Sequence, residues 1–143
     1  MYKVKVSYES SDDKGTSRKT REEYLVVNAL LPSEAETYVS LQMKGYDDFK
    51  ILSINECKSE YLRRGDEYDN FFDAIVETIV IDETTAKEKR TKQRFVIPGE
   101  GVSDCVSFLE EEIGKWLSDA AILSVKRNGI SCVFDVLEKD NNK

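Results

Sequence analysis

Three cysteines, Cys57, Cys105 and Cys132, and no histidine at all among 143 residues define the reactive inventory of this chain. Histidine is the commonest base near neutral pH and the commonest metal ligand. Its absence excludes Ser-His-Asp and Cys-His hydrolases, zincins and most catalytic zinc sites. The cysteines lie far apart with no Cys-x-x-Cys pair, so neither a zinc knuckle nor a thioredoxin-like motif can be written. Cys105 and Cys132 fall on apolar stripes and read as small core hydrophobes. Gly99-Glu100-Gly101 falls short of any phosphate-loop fingerprint. Glu110-Glu111-Glu112 reads as the solvated face of a helix. Catalysis through Asp, Glu, Lys or Tyr alone is all that remains, and no constellation supports it. The expectation is a non-catalytic protein with no cofactor and no metal.

The basic residues carry the sharper signal. The chain has a net charge of −7, yet residues 14–21 hold Lys14, Arg18, Lys19 and Arg21 with no acid. Residues 87–94 hold Lys87, Lys89, Arg90, Lys92 and Arg94 against Glu88. Each segment is locally +4, which leaves −15 on the remainder. Such an uneven distribution describes a dipolar molecule, with basic arms on one side and acidic helices elsewhere. One reading is that charged residues guard exposed strand edges. A second is that Arg18, Lys19, Arg21, Lys89, Arg90 and Lys92 grip a phosphate backbone, with Tyr8, Tyr24 or Phe95 as stacking faces. A third uses the acidic surface as a decoy for a partner's nucleic-acid cleft.

An internal correspondence at a spacing of 70 residues says which elements present these arms. Tyr2, Val4 and Val6 fall on Phe72, Ala74 and Val76, and Leu25-Val26-Val27 falls on Phe95-Val96-Ile97. Ser33-Glu34-Ala35 falls on Ser103-Asp104-Cys105, and, after one extra residue, Ile51-Leu52-Ser53-Ile54 falls on Ile122-Leu123-Ser124-Val125. Each copy reads strand, hairpin turn, strand, helix, strand. Tyr2, Val4, Val6 and Tyr8 alternate with polar neighbours, the period-2 pattern of a half-buried strand. Ser10 to Thr16 carries turn chemistry, and Glu23 to Ala29 returns. Ser33 and Glu36 form a capping box for a helix over 33–45 that Gly45 ends. Phe49 to Asn55 is the next strand.

In the second copy the strand Ala74–Ile81 is more continuously apolar, as for a central strand. Its helix runs from about Asp104 to Leu117, with Cys105, Leu109, Ile113, Trp116 and Leu117 facing inward. Asn128-Gly129 between two apolar runs is a type I′ hairpin signal, with Ile130 to Val136 as the last strand. Lys58 to Leu62 is a shorter equivalent that closes the first copy. The expected fold is therefore α+β: two tandem, pseudo-equivalent ββαβ(β) units of antiparallel sheet, each with one packed helix. The units span 1–62 and 72–138, joined by a short linker at 63–71, with a frayed tail at 139–143.

No apolar run approaches the roughly 18 residues of a membrane span, and the alternating start lacks a signal-peptide core. An odd cysteine count suits a reducing compartment, so the expected location is cytoplasmic.

The opening Tyr2-Lys3-Val4-Lys5-Val6, the strand Glu22-Glu23-Tyr24-Leu25-Val26, the Ser-Glu-Ala-Glu helix start at 33–36 and Phe49-Lys50-Ile51-Leu52-Ser53-Ile54 resemble a family. It is the domain-of-unknown-function family 4494, found in bacteria and phages. The resemblance covers nearly the whole chain, and Pro98-Gly99 departs from it where a longer strand exit is expected. It implies a small cytoplasmic protein, leaves open an origin on a mobile element, and carries no activity or site. The leading expectation is a binding or regulatory protein acting through hairpins and sheet edges on another macromolecule, most readily a protein. The alternative is a nucleic-acid-binding protein that uses the two basic arms.

Overall fold

Alternating apolar residues and β-branched pairs build the two long hairpins on which each half of the computed structural model is organised. The structure describes residues 1–11, 14–65 and 67–137. The expected frayed tail at 139–143 lies outside the described residues, as do Asp12 and Asp13 of the first turn and Asp66 of the expected linker.

The chain divides into two compact units, Met1–Lys58 with Gly129–Lys143, and Ser59–Asn128. In the first, β1 (Tyr2–Ser11) and β2 (Ser17–Val27) form an antiparallel ladder from Tyr2↔Val26 to Ser11↔Ser17. β3 (Asp47–Glu56) pairs with the other side of β1. Val4, Val6, Tyr24 and Val26 share one sheet face and bury Ala35, Val39 and Met43 of the following helix, α1 (Pro32–Gln42), and its cap. Val4, Val6, Val26 and Val39 are fully buried, each contributing on the order of 1.5–3 kcal/mol relative to exposure.

The α1 start differs from the expected capping box. Leu31 is the N-cap and makes no side-chain cap, because Pro32, which has no N–H to satisfy, takes the first helical turn. Glu34 instead accepts the Leu30 amide at 2.8 Å. The helix stops earlier than expected, at Gln42 with Met43 as its C-cap, and Gly45 lies beyond it at φ +101°, a conformation costly to any residue with a Cβ.

In the second unit, β5 (Asn70–Ile81) lies between β6 (Glu88–Gly99) and β7 (Asp119–Arg127), the central position its apolar run implies. Phe72, Ala74, Val76, Phe95 and Ile97 pack under Cys105 and Leu109 of α2 (Val102–Ile113). Ile113 and Trp116 pack at the margin of this core, but Leu117 is fully exposed. The helix stops at Ile113, four residues before Leu117, so the 3.6-residue period does not carry that far.

The remaining two strands depart from a contiguous reading. β4 (Glu60–Tyr61) pairs parallel with β6, not with the first sheet. β8 (Ile130–Asp135) pairs parallel with β2, so Asn128-Gly129 is a crossing point and not a hairpin. A type I′ turn needs positive φ at both central residues, and neither has it. Asn128 is held instead by its amide on the Phe71 carbonyl and its side chain on Asp73, both at 3.0 Å. The compact units therefore do not follow the division at 1–62 and 72–138. Each half hands its final strand to the other sheet, and the sheet orders are β3-β1-β2-β8 and β7-β5-β6-β4. The class is α+β, with two helices and eight strands among the described residues.

Candidate functional site

Strand alternation decides where each basic side chain goes. Tyr24 and Val26 of β2 face α1, so Arg18 lies on that side of the sheet and Lys19 and Arg21 lie on the other. In β6, Phe95 and Ile97 face α2, which puts Lys89 on the helix side and Arg90 and Lys92 opposite. All six are exposed. The expected sites thus occupy corresponding stretches of the two arms, and in each arm the cations flank the strand on both faces.

The outer sides of these stretches are open. β8 pairs with β2 only from Glu23 to Val27, so Ser17–Glu22 has no strand beyond it among the described residues. β4 pairs with β6 only at Phe95 and Val96, so Glu88–Arg94 is open in the same way. The basic residues are therefore those of two free strand edges. Sequence reasoning placed the cations on the hairpins but could not see this edge, because it depends on how far two short parallel strands reach.

Arg90 is partly neutralised, donating to Glu77 at 3.1 Å and to Glu88 at 3.3 Å, contacts that raise its pKa further. Arg18, Lys19, Arg21, Lys89 and Lys92 make no ion pair with any described residue. In an acidic chain these five exposed cations are open to a partner's anions.

Two irregularities shape the base of the first arm. Leu52 is the extra residue where β3 shifts register against β1, and Ser131 the extra residue where β8 shifts against β2. Together with Lys5, Arg21, Glu22, Glu23 and Gly129 they line a depression of about 340 Å³ where the open edge meets β8. Glu23 is engaged by Lys3 at 3.8 Å, whereas Lys5 and Arg21 make no ion pair with a described residue. Beneath it, Glu22 accepts hydrogen bonds from the Tyr8 hydroxyl at 2.9 Å and the Tyr24 hydroxyl at 2.5 Å. Burial first, then this carboxylate, pushes Tyr8 up to about 12 and Tyr24 higher still. The expected stacking faces are consequently spent. Tyr24 and Phe95 are buried in their cores, and Tyr8 packs edge-on against Tyr46 at 4.9 Å.

Other candidates resolve into structure. Arg64, expected in a linker, forks onto Asp104 at 2.6 and 3.2 Å and donates to the Pro98 carbonyl at 3.1 Å. Its guanidinium stacks on Tyr68 and Phe108 at 4.6 and 4.5 Å. Asp104 also accepts the Glu100 amide at 3.0 Å, so this cluster fixes the start of α2. Burial pushes the Cys105 and Cys132 thiols up to about 11, as for core hydrophobes rather than nucleophiles. Among the described residues no group of His, Cys, Asp and Glu is placed to hold a metal ion. An apolar groove of about 410 Å³ runs along α1, lined by Leu31, Tyr38, Leu41 and Val136 with Ser33, Glu34 and Thr37. No helix of the described residues is long and apolar enough to cross a membrane.

No curated protein and no solved structure matches the chain. The model of the family described as a domain of unknown function (DUF4494) matches residues 1–136, and the chain belongs to that family.

Proposed function

We propose that the protein is a non-catalytic binding or regulatory module that docks another protein, through an acidic surface of that partner, onto its two basic arms. One observation carries this reading. In a chain of net charge −7, Arg18, Lys19, Arg21, Lys89 and Lys92 lie on two stretches of strand edge that no other strand of the described residues covers. We read the two units as copies of one ββαβ unit, so that each basic arm is a copy of one binding device. Three free thiols fit a reducing, cytoplasmic setting.

A nucleic-acid ligand is the second reading, favoured by the same cations. It would rest on phosphate contacts alone, since the aromatic side chains named for base stacking lie in or against the cores. The test compares wild type with the arm variants R18E/K19E/R21E and K89E/R90E/K92E in capture from the native host, followed by mass spectrometry, with nuclease added in parallel. A protein set retained under nuclease and lost in both variants supports the reading. An identical set on all three proteins contradicts it, and a set released by nuclease transfers the arms to nucleic acid.

A further inference from the structure

Resting on that reading, we infer that the partner docks as a strand: an extended acidic segment adds to the open edges Ser17–Glu22 of β2 and Glu88–Arg94 of β6. The same two edges already accept strands from elsewhere in the chain. β8 lies parallel on Glu23–Val27 and the two-residue β4 lies parallel on Phe95–Val96, so the inner part of each edge is an occupied docking track. The outer part continues that track with backbone donors and acceptors that a further strand would satisfy.

Charge selects the occupant. Ser17–Glu22 carries Arg18, Lys19 and Arg21 against Glu22, and Glu88–Arg94 carries Lys89, Arg90, Lys92 and Arg94 against Glu88. Because cations sit on both faces of each strand, an added segment meets positive charge whichever way its side chains alternate. An acidic segment gains on both faces. A second copy of the chain pairing edge to edge would set like charges opposite one another, which guards these edges against self-association. Where the first edge runs into β8, the depression between Lys5, Arg21 and Leu52 offers room for one side chain of the arriving segment.

The probe is a fluorescein-labelled eight-residue peptide of alternating glutamate and valine, beside the same peptide N-methylated at every amide. Methylation keeps the charge and removes the backbone donors. Fluorescence anisotropy at low salt reads binding to wild type and to the two arm variants, each first checked for native circular dichroism. An oligo-dT of similar charge is the third ligand. Strand addition predicts that the unmodified peptide binds wild type, weakens in both variants, and outbinds its methylated form by about tenfold or more, since several hydrogen bonds are lost. Equal binding of both peptides overturns strand addition while leaving an electrostatic protein-docking arm intact. Binding of oligo-dT with neither peptide bound overturns both and leaves the nucleic-acid reading. No ligand bound at low salt overturns all of them.

Discussion

Replacing Arg64 by alanine removes a fork onto Asp104, a bond to the Pro98 carbonyl and two aromatic stacks in one step. Hydrogen bonds to a charged partner are worth about 1.5–3 kcal/mol, and a cation over an aromatic face about 0.5–1 kcal/mol at accessible sites. The side chains are 14% and 31% exposed, so water screens part of this and replaces part of what is lost. The expected destabilisation is about 2–4 kcal/mol, a large share of the stability of a small domain. With a urea slope of about 2 kcal/mol/M, the midpoint should fall by roughly 1–2 M. Arg64→Lys keeps the charge but not the planar fork, and should fall between wild type and alanine. The pair also has a pH signature. The Arg64 fork and then the Glu100 amide hold the Asp104 carboxyl below its ordinary range. A depressed acid contributes stability above its unfolded value and loses it as pH falls through the folded one. Wild type should therefore lose stability between neutral and acidic pH, and Arg64→Ala should lose less. A midpoint shift below about 0.2 M, or parallel acid limbs in the two proteins, would refute the assignment of Arg64 as the clamp of α2.

Gly99 lies against the same clamp: a Cβ there would collide with the Cys105 Sγ and fall 2.9 Å from an Asp104 oxygen. Gly99→Ala should cost at least about 1–3 kcal/mol by overpacking, read by urea denaturation, and an unchanged midpoint would contradict the close approach. In alkaline absorbance titration, Tyr8 and Tyr24 should ionise above the free tyrosine value. Their raised values mean stability present below the free tyrosine value and lost as pH climbs through the folded ones. Glu22→Gln should bring both midpoints down without restoring the free value, because burial is the larger cause; ionisation of Tyr8 and Tyr24 at the free tyrosine value in wild type would be the contrary result. Cys105 and Cys132, titrating at about 11, hold roughly one thiolate in a thousand at pH 8. A thiol reagent should modify them far more slowly in the native protein than in denaturant, and equal rates would show the burial to be wrong.

Much of this architecture is legible in local pattern. Alternation locates β1, the apolar run of β5 marks it as central, and Cys105 packs in the core as its residue type implies. Local pattern fails where the decision is made at a distance. Ile130–Asp135 is plainly a strand, but nothing in its own residues says that β2, more than 100 positions earlier, receives it. Asn128-Gly129 carries hairpin chemistry that the tertiary pairing overrides. Pro32 overrides the serine cap one residue later. Arg64 reads as linker because its partners, Asp104 and Phe108, lie some 40 residues away. The candidate site is half legible for the same reason: composition shows the cations, whereas the open edge is a property of where β4 and β8 stop.

Hydrogen exchange followed by mass spectrometry, with and without the acidic peptide, tests the central claim most directly. Edge docking predicts slowed amide exchange in 17–22 and 88–94, at low salt and in wild type alone among the arm variants. Slowing confined to the α1 groove around Leu31, Tyr38 and Leu41, or no slowing in either arm while the peptide is bound, would contradict it.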